Sequence, residues 1–309
     1  MSCIMQPNFS FTSFGDWGSS NFHQTSVANS IHNYITILNA SFNIVLGDNF
    51  YENGVSSVND SQWITKYKSL YNDSIPWYVI LGNHDYYGNY SAQIDFTNYD
   101  QMWKMPSNNY VVNLPYLKLI MIDTQLLDPQ CSIVSKNVTN IQIKNKIYSW
   151  ITNEVQTGHP NKIVIGHAGM YNVGDHGNCH ELINNLFPIL NKYNIKLYIH
   201  GHSHLFQYNV RNKLHMINCG SASKLSNPPI KSYNIFNVYY SLEYGFCSHT
   251  LIGDTLRTQF INQDGIVIYN IYTSLSSIDS YVDLYLVLLN LISIIYIFIA
   301  YIYYISISL

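Results

Sequence analysis

One short polar motif in this sequence carries residue types that could bind metal ions. The apolar run that begins at Ile44 ends in Gly47, Asp48 and Asn49, and Tyr51 follows two residues later. Such a run predicts a buried strand whose carboxyl end presents a carboxylate, an amide and a phenol, at the edge where open α/β sheets place their ligand sites. Gly, Asp and Asn are also common turn residues, so the stretch taken alone favours a strand followed by an ordinary turn.

Other apolar stretches end in the same way, in a glycine followed by Asp or His, or by Asn and His. In chain order these ends are Gly15-Asp16, Gly82-Asn83-His84, Gly166-His167 and Gly201-His202-Ser203-His204. The ends of successive strands in an α/β sheet converge on one edge, so we expect these side chains to meet. Carboxylates, amides and imidazoles gathered in this way indicate a metal site. Any single one of the 12 histidines would be weak evidence.

Helical and strand patterns alternate along the chain and predict the α/β class. Apolar residues recur at helical spacing over residues 21–40, 60–70, 140–156 and 181–193, and Pro188 is expected to kink the last helix. Within the third helix, the residues expected to face inward are Ile143, Ile147, Trp150 and Ile151. Besides the strand at Ile44, strands are predicted at residues 9–14, 77–81, 109–113, 117–123, 162–165 and 195–199.

Composition limits the classes of function. A chain of 309 residues suits one large domain, or one domain with an appendage. Lys+Arg 15 against Asp+Glu 18 gives a net charge of -3, and no basic run occurs, so nucleic acid is not expected as a partner. The five cysteines include no CxxC pair and do not fix the redox compartment.

The end of the sequence predicts a membrane segment. Residues 284–305 carry no charge, and roughly 20 apolar residues are enough for a helix to span a bilayer. We therefore expect a globular domain at residues 1–273, a juxtamembrane linker at 274–283 and a single-pass transmembrane helix at 284–305. The small residues at 274–280 also fit a lipid-anchor attachment signal, which stays open as the alternative. No signal peptide is visible in residues 1–12.

The ordered motifs resemble those of the calcineurin-like metallophosphoesterase superfamily. In chain order they read GDWG, GDNFY, GNHD, GH and GHSH. Tyr51, three residues after Asp48, is similar to a tyrosine of the purple acid phosphatases, and the short chain resembles their tartrate-resistant acid phosphatase subgroup. The resemblance covers residues 9–223. It implies a four-layer αββα sandwich, to which the C-terminal hydrophobic helix would be added.

The resemblance implies two metal ions that share Asp48. One ion would be held by Asp16, Asp48, Tyr51 and His204, and the other by Asp48, Asn83, His167 and His202. Three anionic oxygens and one imidazole suit Fe(III), whereas a shared carboxylate, an amide and two imidazoles suit Fe(II), Zn(II) or Mn(II). Ser/Thr phosphatases of the superfamily carry a histidine two residues after the first aspartate, where this chain has Gly18.

The implied activity is an acid phosphatase that attacks phosphomonoesters, either small molecules or phosphoproteins, with a metal-bound hydroxide. The resemblance implies that His84 and His176 bind the phosphate and assist the leaving group. Asp175 stands where the subgroup has a glutamate, so its carboxylate reaches less far. For His84, the alternative is a turn histidine that hydrogen-bonds to Asp85. For the whole chain, the alternatives are a weak or inactive phosphatase-like membrane anchor or scaffold, or a phosphodiesterase of the same superfamily.

Two further expectations concern the surroundings of the site. The resemblance implies a disulfide between Cys131 and Cys179, and with it a lumenal or extracellular catalytic domain attached to a membrane. Residues 86–110 and 218–243 are expected to form the substrate rim.

Overall fold

The computed structural model describes residues 9–71, 74–127, 141–227 and 235–276, whose strands form two seven-stranded sheets. Parallel strands form one half of the first sheet, from its centre to one edge, because β1 pairs with β2, β2 with β3 and β3 with β4 in parallel. In spatial order this sheet consists of β14 (Val267–Ser274), β13 (Thr255–Asn262), β12 (Gly245–Ile252), β1 (Phe9–Phe14), β2 (Asn43–Val45), β3 (Trp77–Val79) and β4 (Trp103–Lys104).

The second sheet repeats this plan. Its parallel strands run side by side in the order β10, β8, β7 and β6. Across the sheet, the strands are β11 (Asn237–Ser241), β9 (Phe206–Arg211), β10 (Leu214–Cys219), β8 (Leu197–His200), β7 (Lys162–Ile165), β6 (Lys118–Met121) and β5 (Tyr110–Asn113). The predicted α/β class is therefore confirmed, and the polar motifs follow β1, β2, β3, β7 and β8 as expected.

Helices pack against both sheets. The α-helices are α1 (Phe22–Leu38), α2 (Tyr90–Asp95), α3 (Ile141–Gln156) and α4 (Phe187–Lys192). Shorter or wider helical turns occupy Trp63–Lys68, His84–Tyr87, Phe96–Asn98, Thr124–Leu126 and Leu182–Leu186. Helix α1 contacts β1 and β12, while α3 contacts β6, so each sheet has a helix against it.

One detail of the helices differs from the sequence-based expectation. In α3 the buried residues are Ile147, Ile151 and Val155, whereas Ile143 is 38% exposed and Trp150 is half-buried. The buried face of α3 therefore begins at Ile147, later along the chain than the pattern indicated. Pro188 lies in the first turn of α4, which continues the π-helical turn Leu182–Leu186 without a break. The regular α-helical hydrogen bonding is thus interrupted directly before the proline, in keeping with the expected irregularity at this residue.

The central strands of the second sheet, β6, β7 and β8, are buried on both faces. In β7, Ile163 and Ile165 belong to the core that also contains residues of the first sheet, whereas Val164 packs in a second core with α3 residue Ile151. This alternation follows from the two-residue period of a strand. Because both faces are apolar, these strands are rigid supports for the polar residues that follow them.

A disulfide joins Cys219, at the end of β10, to Cys247 in β12, and so links the two sheets. Sequence reasoning missed it because the two cysteines are 28 residues apart and belong to no motif. The other expected pairing concerns Cys131, which lies outside the described residues. Cys179 is described and is buried in the second core.

The prediction of a single-pass C-terminal membrane anchor is corrected by the structure. Within the described ranges, none of the helices combines the length and apolarity that crossing a bilayer needs. The longest of them, α1, has 17 residues. Residues 284–305, on which the prediction rested, lie outside the described residues. We therefore withdraw the membrane assignment, together with the lumenal or extracellular location attached to it.

His249, a fully buried residue of β12, should make the stability of the fold depend on pH. It contacts the hydroxyls of Ser13 and Thr258 and stacks on Phe11, and burial lowers its pKa from the usual 6.5 to about 3. Because the folded-state pKa lies below the unfolded one, the unfolded chain binds more protons between these values. This contribution is therefore present above pH 6.5 and is lost as the pH falls toward 3.

We expect the titration of His249 to lower the free energy of unfolding by about 2 kcal/mol when the pH falls from 7 to 5. Urea unfolding at the two pH values should show a smaller loss in His249→Gln than in the wild type. His32→Gln, on the exposed side of α1, is the matched control and should keep the wild-type loss. Equal losses in all three proteins would show that His249 does not titrate as argued.

Candidate metal centre

Three residues that follow strand ends have a left-handed backbone. Asp16 has φ 58°, Asp48 has φ 51° and His202 has φ 71°. Such angles are uncommon for residues other than glycine and cost of order 1–3 kcal/mol, so they persist where the surrounding structure enforces them. All three follow a glycine and lie in the predicted motifs, which marks this edge of the two sheets as the candidate functional site.

Two glycines allow the loops at this edge to approach each other. Gly47 has φ 92°, and a Cβ there would lie 2.7 Å from Nδ1 of His167. A Cβ on Gly82 would lie 2.2 Å from Oδ1 of Asp48. The glycines of these motifs are therefore required by close packing between the loops, which explains why each polar group is preceded by one.

The first predicted ligand set converges on the hydroxyl of Tyr51. This hydroxyl donates to Oδ1 of Asp16 and lies equally close to Oδ2 of Asp48, at 2.9 Å in each case. Nε2 of His204 is 3.0 Å from the same oxygen and 3.4 Å from Oδ1 of Asp16. Four side chains from three separate motifs thus present their polar atoms to one point.

The second predicted set lies on the other side of Asp48. Nε2 of His167 is 3.1 Å from Oδ1 of Asn83 and 3.5 Å from Oδ1 of Asp48. The ring of His202 lies 5.0 Å from that of His167, measured between centroids. One oxygen of Asp48 therefore faces Tyr51 and the other faces His167, which is the arrangement expected of a carboxylate shared between two sites.

The electrostatics of the cluster fit a bound cation. Asp16 and Asp48 are buried, and the pKa of Tyr51 is raised well above 10 by burial and by these two carboxylates. Burial would raise the pKa of Asp16, but hydrogen bonding and charge from neighbouring histidines outweigh it and lower that pKa. Buried carboxylates facing one another are costly without positive charge. Donor atoms of Asp16, Asp48 and His167 lie within 4.8 Å of one another, close enough to share an ion.

His202 is suited to act as a neutral donor. Burial and the neighbouring imidazoles, first among them that of His176, lower its pKa well below 6.5. A neutral imidazole keeps the lone pair that a metal ion takes. Its backbone N–H donates to Oδ2 of Asp16 at 2.9 Å, so the two candidate ligands hold each other in place. The assignment of individual residues to individual ions stays a prediction.

The predicted phosphate-binding residues lie beside this cluster. His84 donates its backbone N–H to Oδ1 of Asp48 at 2.8 Å, and its ring nitrogen Nδ1 contacts the carbonyl of Glu52 at 2.6 Å. Its alternative partner, Asp85, bonds elsewhere. His176 lies against His202, with ring centroids 4.1 Å apart, while Oδ1 of Asp175 is 4.0 Å from Nε2 of His176. The shorter side chain at position 175 therefore makes at most a weak contact with His176.

Asp85 is a residue whose role sequence reasoning missed. It is buried and accepts backbone N–H groups from Gly82 at 2.8 Å and from Asn49 at 3.0 Å, and a side-chain N–H from Gln93 at 2.8 Å. It thus joins the loop after β2 to the loop after β3. Its only signal in the sequence is its position directly after His84 in the GNHD motif.

Two further residues hold the backbone of the site. No sequence motif indicates them, because they are separated along the chain from the ligands that they contact. Nζ of the buried Lys66 donates to the carbonyl oxygen of Tyr51, and Oγ of Ser223 donates to the carbonyl oxygen of Asp16 at 2.6 Å. Both bonds hold the backbone of a candidate ligand. His200, which belongs to no predicted ligand set, stacks on Tyr198 and is fully buried.

Comparison with known proteins agrees with this geometry. Residues 9–206 match the model of the calcineurin-like phosphoesterases. The chain is 30% identical over 223 residues to human tartrate-resistant acid phosphatase type 5, which covers 65% of this chain and 69% of the relative. It is 31% identical over 233 residues to purple acid phosphatase 7 of Arabidopsis thaliana, covering 70% and 71% respectively.

Among solved structures, the fold is similar to one described as GAP50, the anchor in the inner membrane complex of Plasmodium. The TM-score is 0.78 at 26% sequence identity, over 88% of this chain and 90% of the other. The phosphatase relatives imply a dinuclear metal centre in a protein of this kind. The family match, these relatives and the cluster around Asp48 agree, and this chain belongs to the calcineurin-like phosphoesterase family, with the tartrate-resistant and purple acid phosphatases as its relatives.

Proposed function

We propose that this protein is a dinuclear metal-dependent acid phosphatase that hydrolyses phosphomonoesters, with its catalytic domain at residues 1–273. The observation that carries the proposal is the position of the Tyr51 hydroxyl, within 3.0 Å of Asp16, Asp48 and His204. A phenol in such a place becomes an anionic ligand once a cation replaces its proton. The set then has the hard oxygen character that favours a trivalent ion such as Fe(III).

Asp16, Asp48, Tyr51 and His204 would hold the trivalent ion. Asp48, Asn83, His167 and His202 would hold a divalent one, which we propose is Fe(II), Zn(II) or Mn(II). When bound, two such ions supply an acidified water and polarise the phosphoryl oxygens.

The histidines beside the cluster would handle the substrate. His84 is held in place by its backbone bond to Asp48, while 23% of its side chain remains accessible. Its imidazole and that of His176, 38% accessible, can donate hydrogen bonds to phosphate oxygens and a proton to the departing alkoxide. Asp175 is too far from His176 to fix its ring, so we assign Asp175 a supporting electrostatic role.

Two rival functions share this fold. One is a scaffold with little or no turnover, which the likeness to the Plasmodium protein described as an anchor keeps under consideration. The retained donor set argues against it, because a scaffold has no need of buried carboxylates that face each other. The other rival is a phosphodiesterase, which would differ in the residues around the mouth of the site.

The proposal is tested with the full chain loaded with iron and zinc. We expect two metal ions per chain, turnover of p-nitrophenyl phosphate at acid pH, and a visible absorption band from Tyr51 to Fe(III). Tyr51→Phe should lose the band and lower kcat/KM about 10²-fold, because it removes one ligand of the first ion. Tyr99→Phe, on an exposed ring, is the matched control and should change neither property.

Each rival predicts a different result. Two bound metals without turnover at any pH would favour the scaffold. Faster hydrolysis of bis-p-nitrophenyl phosphate than of the monoester would favour the phosphodiesterase. A colourless zinc protein that stays fully active after Tyr51→Phe would remove the Fe(III) assignment.

A further inference from the structure

We propose that Lys224, together with His84, forms a second anion-binding subsite at the mouth of the metal centre, and that the preferred phosphoesters carry a further negative charge on their leaving group. This inference rests on the proposed phosphatase function and narrows its substrate class. The anion would be a carboxylate or another phosphate, since both offer oxygen acceptors to an ammonium group.

Lys224 lies directly over a candidate metal ligand. Its Nζ is 3.8 Å from the centroid of the Tyr51 ring, whose hydroxyl contacts Asp16 and Asp48. The ammonium group therefore lies on the face of the ring whose hydroxyl belongs to the proposed metal centre. His84 packs on the same ring, with centroids 4.5 Å apart. The Tyr51 ring therefore contacts both Lys224 and His84.

The backbone on either side of Lys224 is fixed to the metal centre. Ser223 bonds to the carbonyl of Asp16, and Ser226 donates its N–H to the carbonyl of His204 at 2.8 Å. The Ser226 hydroxyl accepts the N–H of His204 at 3.1 Å. With both flanks anchored, the lysine stem starts from a defined point, while its side chain stays 26% exposed. Anchoring of this kind lowers the entropy that binding a substrate group would cost.

Glu52 shows that a carboxylate fits at this place. One of its oxygens is 2.6 Å from Nζ of Lys224, and the other is 3.8 Å from Nδ1 of His84. A carboxylate therefore fits at hydrogen-bond distance from Lys224, with the His84 ring beside it.

The Glu52 carboxylate can leave this position at small cost. Its side chain is 62% exposed, and ion pairs of this kind contribute only about 0–1 kcal/mol because water solvates the separated charges well. A substrate anion has an advantage over Glu52, because the phosphate of the same molecule is already held at the metal centre. We therefore expect the charged leaving group to displace the Glu52 carboxylate from Lys224.

The subsite is tested by ligand affinity, which does not depend on turnover. The probes are 3-phosphonopropionate and its amide, which share the phosphonate and differ in one charge. Isothermal titration calorimetry on the metal-loaded full chain should show tighter binding of the carboxylate. Lys224→Met should lower the carboxylate-over-amide affinity ratio about tenfold, while Lys224→Arg should keep it within about threefold. Glu52→Gln should raise the ratio, because the competing carboxylate is gone.

Lys192→Met is the matched control. Lys192 also lies over a tyrosine ring, 5.2 Å from the centroid of Tyr193, but at the end of the helix that leads into β8 and so away from the carboxyl ends of the strands. This variant should keep the wild-type ratio. A ratio that is unchanged in Lys224→Met overturns the subsite; if that variant fails to fold, an unchanged ratio in Glu52→Gln overturns it.

The subsite and the phosphatase function can fail separately. A ratio that depends on Lys224 in a protein without p-nitrophenyl phosphate turnover would keep the subsite and remove the enzyme assignment. Turnover combined with a carboxylate-over-amide affinity ratio that does not depend on Lys224 would keep the enzyme assignment and remove the subsite.

Discussion

Replacing Asp48 with asparagine is expected to lower kcat/KM for p-nitrophenyl phosphate at least about 10³-fold and to reduce the metal content below two ions per chain. Asp48 has one oxygen 2.9 Å from the Tyr51 hydroxyl and the other 3.5 Å from Nε2 of His167. An asparagine keeps only one oxygen, and its NH₂ group donates where a metal ion needs an electron pair. Whichever way the amide turns, one of the two ligand sets loses an oxygen.

This substitution tests whether Asp48 is shared. Metal analysis after gel filtration and steady-state kinetics are the two measurements. Asp60→Asn is the control, because Asp60 accepts hydrogen bonds from Ser56 and Gln62 in an exposed turn and contacts no candidate ligand. If Asp48→Asn kept two tightly bound ions and full activity, the proposed centre would be wrong. If it kept one ion and a colour band, Asp48 would serve only the second set.

The strand ends were predictable because a local rule governs them. A buried strand that stops at a glycine delivers the next side chain to the sheet edge, and this rule needs no knowledge of which strands are neighbours. The rule places both Asp16 and His204 at strand ends, although one follows β1 and the other follows β8. What joins them is the parallel arrangement in both sheets, which brings the carboxyl ends together.

The errors concern features set by tertiary contacts. Ile143 fits a helical stripe, yet the sheet under α3 covers only the part of the helix from Ile147 onward. The disulfide of Cys219 with Cys247 depends on how two sheets face each other, which no local pattern contains. Lys66 and Lys224 resemble ordinary surface lysines in the sequence, and only the fold brings them to Tyr51.

Asp85→Asn is expected to destabilise the fold clearly, although Asp85 belongs to neither predicted ligand set. The carboxylate accepts N–H groups from Gly82, Asn49 and Gln93, and a longer bond from Phe50 at 3.3 Å. An asparagine would point its NH₂ group at some of these donors and leave them unsatisfied. Each unsatisfied buried donor costs about 1–3 kcal/mol, so we expect a loss of about 3 kcal/mol.

The loss should appear in two independent measurements. For a chain of this length, about 3 kcal/mol corresponds to a fall in Tm of roughly 5 °C in the metal-free protein. Metal affinity should fall as well, because Asp85 holds together the loops that present Asp48 and Asn83. Asp100→Asn is the matched control: Asp100 pairs with Lys68 at 3.2 Å near the surface, and its loss should cost less than about 1 kcal/mol. Equal Tm values for the two variants would mean that Asp85 does not join the loops energetically, whereas a lower Tm with unchanged metal affinity would confine its effect to the fold.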